Sequence, residues 1–280
     1  MEPQKPYAEL TNKVKVTGKM VCTTMMVVCM NGGDSELGDM FSNSYFNDQS
    51  ANENRFEHPW EIVWSEEFEG EALDAERWNV LDDAFGYGAR RQHYKPENIE
   101  VSDGLLKIHT KKEMSRGFPY TSGAITTKEK VVFKYGKLEV RAKLPAGTGL
   151  LPAIWLWNNQ GNDFPEIDMV EVLGQEPGQI WNTIHYDVNG IYGKDYAMKE
   201  FPDLTTDFHT YGIEWTPDEI VFFVDGIVTH TSTVYVPQED MYLFINTGVG
   251  GDWVGEPDNS TVFPAQMNVD WIRYYQNKKE

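Results

Sequence analysis

From His58 onward the chain breaks into short stretches in which apolar and polar residues alternate, the period of a strand with one buried face. Gly136–Leu144 sets Leu138, Val140 and Ala142 against Lys137, Glu139, Arg141 and Lys143. Ile99–Val101 and Leu105–His109 flank the turn Ser102-Asp103-Gly104, and Ile213–Trp215 and Ile220–Val224 flank Thr216-Pro217-Asp218. Asp225-Gly226 closes into a further hairpin, and Met267–Tyr275 alternates through Val269, Trp271 and Arg273. Strands at this spacing with Gly, Pro and Asp turns predict an antiparallel sandwich or barrel. Only Pro237–Met241 and a few turns are candidates for helix.

The first 57 residues follow a different pattern. Lys13, Lys15 and Lys19 precede the apolar stretch Met20–Met30, and Asn31-Gly32-Gly33-Asp34-Ser35 follows, the order of an export signal. Residues 1–30 are therefore expected to direct export, 31–57 to form a flexible tether, and 58–280 to form the functional domain. A disordered tail is the plain alternative. Cys29 stands where a lipid anchor would attach, although Val28 replaces the small residue usual there. The expected location is outside the cell or at its surface. No apolar run reaches the ~20 residues that cross a bilayer. Both cysteines, Cys22 and Cys29, precede the domain, which must stand on its own core without disulfides.

Charge narrows the partners. The 280 residues carry 24 Lys+Arg against 44 Asp+Glu, a net charge of −20, which argues against nucleic acid and against polyanionic substrates. Aromatic residues make up 13%, which suits stacking on sugar rings but equally suits a sandwich core.

The segment Phe164-Pro165-Glu166-Ile167-Asp168-Met169-Val170-Glu171-Val172 is the most informative. In a strand Glu166 and Asp168 share a face, while Glu171, five residues from Glu166, points to the other. One extra residue accommodated between Asp168 and Glu171, a β-bulge, returns Glu171 to the acidic face. Three carboxylates side by side repel, and the repulsion forces at least one pKa upward. Two-carboxylate hydrolysis of a sugar uses that arrangement; a solvated acidic face or a calcium site are the alternatives.

With these residues the chain resembles glycoside hydrolase family 16. Glu166-Ile-Asp168-Met-Val-Glu171 matches the bulged form of the family's acidic signature, and the likeness runs from about Trp60 to Gln276. Matching stretches include Tyr135-Gly136-Lys-Leu-Glu139-Val-Arg141, Glu214-Trp215-Thr-Pro217, Asn246-Thr-Gly-Val-Gly250-Gly251-Asp-Trp253 and Val269-Asp270-Trp271-Ile-Arg273. The resemblance implies an all-β jelly-roll sandwich of two antiparallel sheets with a concave substrate cleft. It implies endo-hydrolysis of a β-1,3- or mixed β-1,3/1,4-glucan with retention, Glu166 as nucleophile, Glu171 as acid/base and Asp168 tuning both. An agarase-like galactan hydrolase and a non-catalytic sugar-binding module are the competing readings. Trp253, Trp215, Asn98, His185 and Trp155 are the implied substrate contacts. The implied metal is a structural calcium held by Asp270 with backbone carbonyls near Gly104 and Glu67; no cofactor is implied for catalysis. The expected partner is a polysaccharide, and the chain is expected to be a monomer. The sequence departs from the family at Leu151, at Pro165 and at Phe85–Arg91, where glucan recognition is set.

Overall fold

The structure, a computed structural model, describes residues 60–83, 90–160 and 163–277. The expected export segment, Cys29 and the tether lie outside the described residues, as do positions 85–89. Among the described residues there are seventeen strands. In chain order they are β1 (Trp60–Glu66), β2 (Asn79–Val80), β3 (Gln92–Tyr94), β4 (Ile99–Ser102), β5 (Leu105–Thr110), β6 (Tyr120–Ser122), β7 (Ala124–Thr126), β8 (Gly136–Lys143) and β9 (Leu150–Asn158). They continue with β10 (Glu166–Glu171), β11 (Gln179–Val188), β12 (Ile191–Glu200), β13 (His209–Trp215), β14 (Ile220–Val224), β15 (Ile227–Ser232), β16 (Met241–Val249) and β17 (Ala265–Asn277).

Two antiparallel sheets hold nearly all of them, as the alternation predicts. One runs β15-β14-β13-β8-β17-β5-β4, with β1 also paired to β17. The other runs β12-β11-β10-β9-β16-β7-β2. Every second residue of each sheet points into the layer between them. Leu138, Val140, Tyr211, Ile213, Phe222 and Ile272 meet Ile154, Leu156, Ile167, Ile184, Leu243 and Ile245 in one buried cluster. This apolar layer, removed from water at roughly 25 cal/mol per Å², drives the sandwich together.

Turn chemistry sets the hairpins. Asp103-Gly104, Asn189-Gly190 and Asp225-Gly226 all have positive φ at both residues, the backbone of the tight turn whose twist matches two antiparallel strands. Pro237–Met241 is not helical. The Pro237 carbonyl accepts a hydrogen bond from the Trp215 indole, and Met241 already begins β16. Tertiary pairing overrides a weak local preference there.

Between β11 and β12, Tyr186 faces Gly193. A Cβ on Gly193 would lie 2.4 Å from the Tyr186 ring, which is stacked on Tyr235 with centroids 4.6 Å apart. Glycine is required because the tyrosine lies across the neighbouring backbone. Gly193→Ala is expected to cost about 1–3 kcal/mol by overpacking. In thermal melts Lys194→Ala, on the opposite face, should stay within about 0.5 kcal/mol of the parent.

Candidate active site

The site rises from a break in the register of β10. On β9, Asp168 lies opposite Trp155 and Glu171 opposite Ala153; on β11 their partners are Thr183 and Trp181. Three steps along β10 therefore match two on either neighbour. The extra residue is the bulge that the spacing of the acids calls for, and it turns Glu171 back to the face of Glu166 and Asp168. Ile167, Met169 and Val170 are buried in the core. The bulge withdraws the Met169 carbonyl from the ladder, and Asn182 Nδ2 donates to it at 2.8 Å from β11. Asn182 and His185 lie on the same strand, β11. The structure separates them, because residues three apart in a strand point to opposite faces.

Reading the register across five strands puts the outward side chains in rows. Tyr242, Trp157, Glu166, His185 and Lys194 form one row; Phe244, Trp155, Asp168, Thr183 and Tyr196 the next; Asn246, Ala153, Glu171, Trp181 and Met198 the third. Acids occupy the middle column and rings flank it on both sides. Trp155 stacks on Phe244 at 4.5 Å and donates its indole N–H to Asn246 Oδ1, whose amide donates to the Tyr94 hydroxyl. On the other side Trp181 lies under Tyr196 and edge-on to Trp253, with centroids 6.1 and 5.5 Å away. Trp253 is 46% exposed, a ring open to solvent beside the acids.

Burial dominates the electrostatics. It pushes the pKa of Glu166 well up, with further upward pressure from Asp168 and Glu171 and relief from His185. Asp168 is pushed up to about 8 by burial. Glu171 is also pushed up to about 8, by burial and then by Asp168, while His185, Arg90 and Lys194 pull it down. The first carboxylate to ionise thus holds protons on its neighbours. His185 Nε2 lies 3.2 Å from Asp168 Oδ2 and 4.0 Å from Glu166 Oε1, and its Nδ1 is 2.7 Å from the Tyr192 hydroxyl. Desolvation lowers the pKa of this histidine.

Of the implied substrate contacts, Trp253, Trp155 and His185 stand on this face, and two do not. Trp215 points into the core from the other sheet, 2% exposed and edge-on to Tyr135. Asn98 is fully buried, and its amide is spent on Thr121 Oγ1 at 2.9 Å. Sequence reasoning missed Tyr192, Lys194 and Tyr196 of β12. The Asn189-Gly190 turn, followed by alternating residues, was the signal that could have found them.

Of the implied calcium residues, Asp270 alone would bring a side chain, while Gly104 and Glu67 mark the positions of backbone carbonyls. The Asp270 carboxylate accepts from the Arg141 guanidinium. Both oxygens of Glu67 accept from Arg273, each at 3.0 Å, and Gly104 is part of a hairpin turn. Calcium takes six to eight oxygens, and the one side-chain oxygen donor implied for it, Asp270, is paired with Arg141.

The profile of glycosyl hydrolases family 16 matches residues 88–273. A second profile, that of the beta-glucan synthesis-associated proteins SKN1/KRE6/Sbg1, matches residues 7–164, a range that stops short of the three acids. The chain is 34% identical to a beta-glucanase of Rhodothermus marinus over 248 residues, covering 78% of this chain and 85% of that protein. It is 34% identical to glucan endo-1,3-beta-glucosidase A1 of Niallia circulans over 263 residues, covering 78% of this chain but 38% of that protein. Among solved structures it is similar to the laminarinase catalytic domain of Thermotoga maritima, with TM-score 0.73 and 33% identity over 79% of this chain and 99% of the other. The endo-beta-1,3-glucanase of Pyrococcus furiosus gives TM-score 0.72 and 33% identity over 79% and 96%.

Three expectations follow from the site. Asn182→Ala leaves the Met169 carbonyl buried without its donor; it should cost about 1–3 kcal/mol in melts and lower kcat as Glu171 loses its fixed position. Folded-state pKa values above the unfolded 3.8 and 4.5 mean that the folded chain holds protons that the unfolded chain has released. The stability contributed by Asp168 and Glu171 is then full below about pH 4 and lost as pH rises to about 8, and Asp168→Asn should flatten that slope in a pH series of melts. Calcium at ~1 mM, added to protein stripped with chelator, should leave the melting temperature within about 1 °C.

Proposed function

The chain belongs to glycosyl hydrolase family 16, and we propose that it is an endo-acting hydrolase that cleaves β-1,3- or mixed β-1,3/1,4-glucan with retention, using Glu166 and Glu171. The observation that carries the reading is the bulge, which sets both glutamates on one outward face with Asp168 between them. The relatives named as beta-glucanases and endo-1,3-beta-glucosidases support the substrate class.

In the first step the Glu166 carboxylate attacks the anomeric carbon while the Glu171 carboxyl gives its proton to the leaving glycosidic oxygen. The bond to the leaving sugar breaks, and a glycosyl ester forms on Glu166. In the second step the Glu171 carboxylate takes a proton from water, the water oxygen attacks the same carbon, and Glu166 departs as carboxylate. Burial and the neighbouring Asp168 hold the proton on Glu171 for the first step, and neutralising Glu166 as the ester takes a negative charge from the strip before Glu171 must act as base. Asp168, buried between them with His185 beside it, keeps the strip electrostatically linked. Trp155, Trp181 and Trp253 provide ring faces on either side of the acids for sugars crossing the strands.

The basic-then-apolar order of residues 13–30 supports action outside the cell. Laminarin, barley β-glucan, lichenan, agarose and carrageenan, tested with product sizing and NMR of the first-formed anomer, decide between substrates. Cleavage of laminarin to short oligosaccharides with β-configured ends is expected; inert laminarin with cut agarose overturns the assignment. Glu171→Gln should lower kcat about 10²–10⁴-fold, and Glu166→Gln should remove hydrolysis while sugar binding persists.

A further inference from the structure

We infer that Glu166, Asp168 and His185 form a binding site for a single divalent transition ion of the zinc or copper class, and that this ion blocks the enzyme reversibly. Binding itself stands on geometry; that binding inhibits rests on the reading of Glu166 as nucleophile. One ligand atom from each residue lies within 4.8 Å of the others. Two ligands of a tetrahedral zinc at ~2.0–2.1 Å stand about 3.4 Å apart. The 3.2 Å between His185 Nε2 and Asp168 Oδ2 is close to that span, and the 4.0 Å to Glu166 Oε1 closes with a small rotation of the Glu166 side chain.

Two further observations separate this cluster from an ordinary acidic patch. Asp168 is 4% exposed, and its Oδ2 makes no hydrogen bond, with only the His185 Nε2 of this cluster set against it at 3.2 Å. A buried carboxylate oxygen left in that state is a costly feature that a cation relieves. In addition, the far nitrogen of His185 is held by Tyr192, whose hydroxyl lies 2.7 Å from Nδ1, and the rings stack with centroids 5.8 Å apart. A partner on the non-ligating nitrogen is what orients metal-binding histidines. Here it aims Nε2 at the two carboxylates.

The donor set selects the ion. One imidazole and two carboxylates suit zinc or copper, whereas calcium and magnesium demand more oxygens. The fourth position opens to the face that the glycan occupies. An ion there shares the lone pairs of Glu166, so the nucleophile is no longer available. Inhibition is therefore competitive with glucan.

The test uses the full chain with Cys22→Ser and Cys29→Ser, which removes the two thiols, stripped of metal and titrated calorimetrically with zinc chloride alone. One zinc per chain is expected, displaced by a laminari-oligosaccharide and not by millimolar calcium or magnesium. His185→Ala should weaken binding at least tenfold. Tyr192→Phe, which touches no carboxylate, should weaken it about 10–100-fold. Asp168→Asn gives an independent loss, with melting curves confirming that each variant is folded. Zinc affinity unchanged in both His185→Ala and Asp168→Asn, or no binding at ~1 mM zinc, overturns the proposal. Hydrolysis measured in chelator is read separately: active, zinc-indifferent protein refutes the ion site and leaves the function standing, and inactive protein that binds zinc as described does the reverse.

Discussion

A single unpaired residue in β10 governs the site. Without it, the alternation of a strand sends Glu171 into an apolar layer formed by Ile154, Ile167 and Ile184, where a carboxyl group has no partner. With it, the glutamate stands in the same column as Glu166 and Asp168. The distortion has to be held, and it is held from inside the sandwich, where the Asn182 amide takes the Met169 carbonyl. The cost appears as pKa values pushed upward through burial and mutual repulsion, and those same shifts let a group near neutrality hold and release a proton.

The flanking aromatics are fixed before any ligand arrives. Trp155 cannot turn without breaking its bond to Asn246, which is tied in turn to Tyr94. On the far side Trp181 is wedged between Tyr196 and Trp253. Rings ordered in advance lose little freedom on binding, so more of the stacking energy remains as affinity. The asymmetry of the two sides is also informative. The Trp155 side is tied by hydrogen bonds to buried groups, whereas the β12 side presents exposed Tyr192, Tyr196 and Met198.

Much of this was legible in the sequence because its determinants are local. Strand alternation from Gly136 to Leu144, the Asp-Gly turns and the five-residue offset between Glu166 and Glu171 are visible without coordinates, and a bulge is what that offset requires for the two glutamates to share a face. What could not be read depends on contacts distant in the chain. Trp215 and Trp253 are indistinguishable as letters, yet one packs in the core and the other stands exposed. Asn98 carries an amide suited to sugar, but Thr121, brought in by a separate strand, takes it. In the same way Arg141 and Arg273 reach the side chains of Asp270 and Glu67 from elsewhere in the fold. Strand β12 carries an Asn-Gly turn signal, but only its pairing with β11 brings Tyr192, Lys194 and Tyr196 alongside the acids.

The placement of β17 bears on how this protein is made. The last of the described strands lies inside its sheet, between β8 and β5, and it also pairs with β1, the first of them. As the polypeptide leaves the ribosome, the hairpins can close one after another, but the middle of one wall stays vacant until residues 265–277 emerge. Completion of the native state therefore waits for residues 265–277. A chain shortened by even this one segment would lose the strand that joins its two halves.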